Sequence, residues 1–149
     1  PHSPENTHPI DSFEPIKIHQ AYIGACTGAK LSDLRMAAEV LKGRQVAKGT
    51  RLLIAPASIK TTNAATKDGT LEILTDAGAI ILPTGCGACA GMGAGAIANG
   101  ENCISSTSRN FKGRMGSPDS NVYLGSPYTV AACAVAGTLA DPRDYLSKD

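Results

Sequence analysis

The chain has 149 residues, with 14 Lys and Arg against 13 Asp and Glu, 42% hydrophobic residues and 4% aromatics, the balance of one folded domain rather than of a disordered or fibrous chain. At this size a domain buries roughly two-thirds of the surface its unfolded chain exposes, so a core is available without disulfide or metal staples. A net charge of +1, no long run of like charges and few aromatics for base stacking exclude a nucleic-acid or anionic-membrane footprint, and no stretch approaches the roughly 18 to 20 apolar residues of a membrane span.

The start, PHSPENTHPI, lacks the charged and apolar regions of a signal peptide, so the expected location is the cytoplasm. Pro1 in place of Met reads as a processed piece or a fragment. Residues 1–15 are Pro-rich and poor in apolar residues, the pattern of a leading arm, and residues 16–149 read as one domain. The segment 21–25 predicts a short buried strand ending at Cys26-Thr27-Gly28. Leu31, Leu34, Ala38 and Leu41 then recur at helical spacing, with Ser32 or Asp33 placed to cap and Gly43 to stop. RLLIA at 51–55 predicts a second strand, 59–67 and 71–77 two helical stretches, and 79–82 a third strand. Two more short strands are expected at 103–106 and 121–124. Ser126-Pro127 is a helix start with a capping hydroxyl and Pro at the first helical position, followed by an almost wholly apolar helix over 128–139. Continuous apolar strands alternating with helices imply an α/β fold, a three-layer sandwich around a mostly parallel sheet.

In such a sheet the functional loops lie beyond the carboxyl ends of the strands. Cys26 follows the first apolar strand, and Cys86 and Cys89 follow the third, inside TGCGACAGMGAGAIANG. Its glycines mark a backbone that approaches something closely or takes positive φ. Five cysteines is an odd number without secretory marks, so they read as ligands, redox groups or core residues. Three thiolates from two strand-end loops suit a soft metal or an iron–sulfur cluster with one open iron. A lone Cys-x-x-Cys is equally open to a thiol–disulfide pair or to small core residues. Cys103 and Cys133 fall inside a predicted strand and helix and read as core. Were Cys103 to join the other three, the alternative is a closed zinc site in a non-catalytic structural or interaction module. Ser108, Arg109 and Arg114, in SRNFKGR past another strand, offer two guanidinium forks suited to carboxylates; the plainer reading is a solvated basic loop. Gly91, Gly93 and Gly95 have the wrong spacing for a dinucleotide fingerprint. His2, His8 and His19 have no metal-like spacing and read as solvated.

Taken together, YIGACTGAKLSDLRMAAEVLKGRQV, LPTGCGACAGMGAG, STSRNFKGRMGS and GSPYTVAACAVAG closely resemble the cluster-bearing domain of the aconitase family. The likeness runs from Tyr22 to the end of the chain. It is strongest to the branch of 3-isopropylmalate dehydratase, homoaconitase and dimethylmalate dehydratase large subunits. The resemblance implies an aconitase-like domain with Cys26, Cys86 and Cys89 as ligands of a 4Fe-4S cluster, and Arg109, Arg114 and Ser108 near substrate carboxylates and cluster. It implies reversible dehydration of a hydroxy di- or tricarboxylate, in the setting of amino-acid biosynthesis. Where the family usually reads Ser-Cys-Thr-Asn this chain has Ala25-Cys26-Thr27-Gly28, and Ala88 replaces the usual Pro or Met between the paired cysteines. The thiolates are kept, so the departure bears on substrate choice or cluster potential. The family's acid residues on two preceding domains, and the base serine of a swivelling domain, have no counterpart here. The expectation is therefore the C-terminal portion of a longer large subunit. Its partners would be the remaining large-subunit domains and a separate small swivelling subunit, with no confidently catalytic residue on this chain.

Overall fold

The computed structural model describes residues 16–24, 29–84, 98, 100–107 and 120–146. Five strands, β1 (Gln20–Ile23), β2 (Arg51–Ile54), β3 (Ile80–Ile81), β4 (Asn102–Ser105) and β5 (Asn121–Leu124), form one sheet in the order β3-β2-β1-β4-β5. Every neighbouring pair is parallel. All four residues of β1 are buried, as the central strand of such a sheet requires. β1, β2 and β3 step outward in one direction, and β4 and β5 in the other. The change of direction falls between β1 and β4, the switch point where α/β sheets open a crevice.

Helices α1 (Leu31–Leu41), α2 (Ile59–Lys67), α3 (Thr70–Asp76) and α4 (Pro127–Ala136) pack on one face of the sheet, followed by a 3-10 turn at Pro142–Asp144. α1 buries Leu34, Ala37, Ala38 and Leu41 at the expected spacing and packs against α4. α4 is buried continuously from Val130 to Ala134, and its small side chains let α1 and the sheet approach closely. Beneath the helices lie Ala21, Ile23, Leu52, Ile54 and Ile104. Alternate strand residues point to the opposite face, where Tyr22, Leu53, Ala55, Cys103 and Val122 form a second buried cluster. The described elements thus supply the sheet and one helical layer of the three-layer sandwich.

Two helix ends differ from the sequence expectation. The N-cap of α1 is Lys30, not Ser32 or Asp33. Asp33 serves from the third helical position instead, its carboxylate accepting the Lys30 N–H at 2.9 Å, one half of a capping box. α4 starts as expected, with Ser126 Oγ accepting the Thr129 N–H at 3.2 Å and Pro127 in the first turn. It stops at Ala136 rather than Leu139, because Gly137 turns left-handed (φ 76°) and donates its N–H back to Cys133 at 2.8 Å. The apolar pattern runs on past that glycine because Leu139 packs on the core from an extended segment. There Thr138 bridges Lys17 in antiparallel fashion, flanked by Ile18 N–H to Gly137 O and Leu139 N–H to Ile16 O.

Candidate functional site

All strands of a parallel sheet end on the same edge, and the segments singled out in the sequence begin there. β1 leads through Ile23 to Gly24, two residues before Cys26. β3 leads through Leu82 to Thr84, two residues before Cys86. β4 leads to Thr107, directly before Ser108 and Arg109. Cys26, Cys86, Cys89, Ser108, Arg109 and Arg114 themselves lie outside the described residues, as do Gly28, Ala88 and the leading arm. With neighbouring strands about 4.8 Å apart, the exits of β1 and β4 adjoin, and that of β3 lies about 10 Å from β1. The ladder continues one residue past the strands: Ser106 N–H binds Tyr22 O at 3.0 Å, Gly125 N–H binds Ser105 O at 3.0 Å, and Leu82 N–H binds Ile54 O at 2.7 Å.

One polar arrangement braces the β4 exit and a second lies at the opposite, amino edge of the sheet. At the end of β4 the buried Ser105 and Thr107 hydroxyls stand 2.8 Å apart, and Ser105 Oγ also accepts the Thr107 N–H at 3.1 Å. At the amino edge Glu101 accepts the Ala98 N–H at 3.0 Å and two Arg51 N–H groups at 3.1 and 3.2 Å. Arg51 in turn donates from Nε and Nη2 to Oε1 of fully buried Gln20, at 3.2 and 3.1 Å. The Arg51 guanidinium first, and the Ala98 amide second, hold the Glu101 carboxyl below its ordinary pKa. This clamp anchors the chain where it rejoins the sheet after the Cys86 and Cys89 segment. Neither arrangement was singled out in the sequence. A run of four hydroxyl residues from Ser105 directly after apolar Ile104 is a visible signal for the first; Arg51 and Glu101 lie too far apart in the chain to signal the second.

His19 corrects an expectation. It is half-buried rather than solvated, and its Nδ1 accepts the Asn102 N–H at 3.0 Å, which fixes β1 against the start of β4. His2 and His8 lie outside the described residues.

The two described cysteines are core residues. Cys103 is fully buried on the second face, donates to Ile104 O at 3.5 Å, and burial pushes its thiol up to about 12. It lies two residues back from Ser105 toward the amino edge. Cys133 accepts the Ala140 N–H at 3.3 Å, and burial pushes its thiol up to about 11. Cys103 is packed in the second-face core, two residues back from the β4 exit, which does not favour it as the fourth ligand of the zinc alternative. Among the described residues no group of three or more His, Cys, Asp or Glu is arranged to hold a metal ion. With Cys103 and Cys133 in the core, the other cysteines of the chain are Cys26, Cys86 and Cys89. That set fits a cluster held by three cysteines.

These features define an α/β domain with an all-parallel sheet, in which the segments singled out in the sequence follow strands that end on its carboxyl edge around the switch point. The model of the aconitase family (aconitate hydratase) matches residues 3–137, and the chain belongs to that family. It is 47% identical over 146 residues to a protein of Archaeoglobus fulgidus named 3-isopropylmalate dehydratase large subunit 2, covering 98% of this chain and 35% of that relative. It is 52% identical over 148 residues to large subunit 1 of the same enzyme name in Pyrococcus furiosus, covering 98% and 35%. The large subunit of that name in Mycolicibacterium smegmatis is 48% identical over 139 residues, covering 93% and 33%. The chain therefore spans about a third of the length of the curated relatives it matches. Family membership implies an iron–sulfur cluster. No helix among the described residues is long and apolar enough to cross a membrane.

Proposed function

We propose that this chain is the cluster-bearing part of a cytoplasmic hydro-lyase that reversibly removes water from a hydroxy di- or tricarboxylate resembling isopropylmalate. The observation that carries the reading is that β1, β3 and β4, the strands leading to Cys26, to Cys86 and Cys89, and to Ser108 and Arg109, all end on one edge of the sheet. Cys26, Cys86 and Cys89 would hold a 4Fe-4S cluster, which when bound supplies a Lewis acid at its one iron without a thiolate. Arg109 and Arg114 bind substrate carboxylates by bidentate hydrogen bonds and so fix which carbon faces the reacting centre. Ser108 contributes a hydroxyl beside them. The rigid ladder beneath holds these groups in register while the acid and base groups come from parts beyond this chain. Those parts are the other domains of a large subunit, as the 35% coverage of relatives so named supports, and a small swivelling subunit.

The test is anaerobic reconstitution of the full-length large subunit with iron and sulfide, followed by metal and sulfide analysis of the parent and of Cys89→Ser. The expected result is about four irons in the parent, lost in the variant, together with hydration activity on adding the small subunit. Tight zinc with no iron would overturn the reading.

A further inference from the structure

At the amino edge of the sheet a histidine ring takes the place of a backbone acceptor. His19 N–H donates to Asn102 O at 2.9 Å, and the Asn102 N–H is returned not to a carbonyl but to Nδ1 of the His19 ring, at 3.0 Å. The Asn102 side chain fastens the same place: Nδ2 donates to Lys17 O at 3.0 Å, and Oδ1 accepts Asn121 Nδ2 at 3.1 Å. One joint thus ties the segment entering the sheet to β1, β4 and β5. Its other bonds are between amides, which do not titrate. Nδ1 accepts an N–H only while the ring is neutral, since both nitrogens of an imidazolium are donors. Histidine is the side chain whose charge ordinarily changes between about pH 5 and 8.

Among the described residues the charged groups at this edge are Glu101 directly before β4, Arg51 at the start of β2, and Lys17 and Lys48 in the segments leading into β1 and β2. α4, whose end meets the edge where Gly137 O accepts the Ile18 N–H, carries no charged side chain. Glu101 lies close enough for its carboxylate and a His19 imidazolium to attract one another, although Arg51 is paired with it at 3.1 Å. Acidification therefore sets two partners against each other: the Asn102 amide accepts only the neutral ring, while the Glu101 carboxylate favours the charged one.

We propose that His19 is a pH-sensitive latch between β1 and β4: its neutral ring closes the joint at the Asn102 amide, and protonation of Nδ1 opens that joint while the ladder at the carboxyl edge stays closed. At that far end Ser106 N–H binds Tyr22 O at 3.0 Å, a bond between backbone groups alone. The latch is independent of the hydro-lyase reading and holds whatever reaction the chain serves.

The experiment is site-resolved hydrogen–deuterium exchange of the full-length large subunit from about pH 8 to about pH 5.5, each amide compared with its rate in an unfolded chain at the same pH so that only opening of the protein is read. Protection of the Asn102 amide should fall by about three- to tenfold on acidification, the effect of losing one hydrogen bond. Protection of the Ser106 amide, on the same pair of strands, should stay level. His19→Gln and His19→Ala remove the titrating ring, so in both the Asn102 amide should show no such fall, whatever its absolute protection. The glutamine variant keeps a polar side chain at this edge and serves where the alanine variant does not fold. Level protection of Asn102 in the parent, a fall that persists in either variant, or a fall of equal size at Ser106 would overturn the latch.

Discussion

The ring of Tyr22 lies across the backbone of Gly24. A Cβ built at residue 24 would stand 2.3 Å from Tyr22 Cε1, 2.5 Å from Cζ and 2.6 Å from the hydroxyl oxygen. Tyr22 is fully buried on the second face of the central strand, so the ring has nowhere to withdraw. The glycine two residues before Cys26 is there because a tyrosine two residues earlier fills its place. In the full-length subunit Gly24→Ala should lower unfolding free energy by about 1–3 kcal/mol, the usual size of an overpacking penalty. The same change in a Tyr22→Ala background should be markedly milder. Urea titrations of the four proteins of this cycle check it, and equal penalties in the two backgrounds would refute the contact as the cause.

The cysteines should divide by reactivity. Cys103 and Cys133 are buried, with thiols pushed up to about 12 and about 11, and thiolate is the reacting form. Alkylation of the cluster-free full-length subunit at pH 8, read by peptide mass spectrometry, should spare both until the protein is denatured. Cys26, Cys86 and Cys89 should label first. Early labelling of Cys103 would contradict its place in the core.

Asp68 gives the fold an acid limb. Its carboxylate accepts the Thr70 N–H at 3.0 Å and Arg35 Nε and Nη2 at 2.9 and 2.7 Å. Hydrogen bonds from Thr70, then Arg35, bring its pKa down from 3.8 to about 2. A depressed carboxyl stabilises the fold above its unfolded pKa, and that stabilisation is lost as pH falls from about 4 toward 2. Asp68→Asn should therefore be less stable than the parent at pH 6, with the gap narrowing through that window. Thermal unfolding at several pH values checks the sign, and a gap that widens on acidification would refute it.

Leu34 of α1 is fully buried in the helix-covered core. Leu34→Ala should cost about 2–5 kcal/mol, the usual cost of a large-to-small change in a close-packed core. A loss well below that range by urea unfolding would mean that neighbouring side chains close the gap.

What was legible in the sequence was what neighbours along the chain decide. The apolar runs at 51–54 and 121–124 are strands, Ser126-Pro127 opens a helix, and Cys103 and Cys133 lie inside elements and not in loops. The end of α4 is not legible because Leu139 continues the apolar pattern past Gly137; a left-handed glycine outweighs periodicity there. The place of His19 is not legible because its partner, Asn102, is distant in sequence and arrives only when β4 pairs with β1. The Arg51–Glu101 clamp was unreadable for the same reason. At the candidate site the sequence offers residue types by motif and resemblance, and those residues lie outside the described ones. What the sheet adds is that the strands leading to them end together, and that the β4 exit is braced by Ser105 and Thr107.

The antiparallel bridge between Lys17 and Thr138 has a mechanical side. It sets the chain's path into the sheet beside its path out of α4, both at the amino edge, while the segments carrying the candidate ligands leave from the carboxyl edge. On the entering side the path is held by two hydrogen bonds, Ile18 to Gly137 and Leu139 to Ile16, and on the outgoing side it is held further on, where Arg44 donates to Tyr145 O at 2.9 Å. The bridge that joins the entering chain to the end of α4 and the exits that lead to the candidate ligands thus lie at opposite edges of one sheet, so a change at one edge reaches the other only through the full length of the strands.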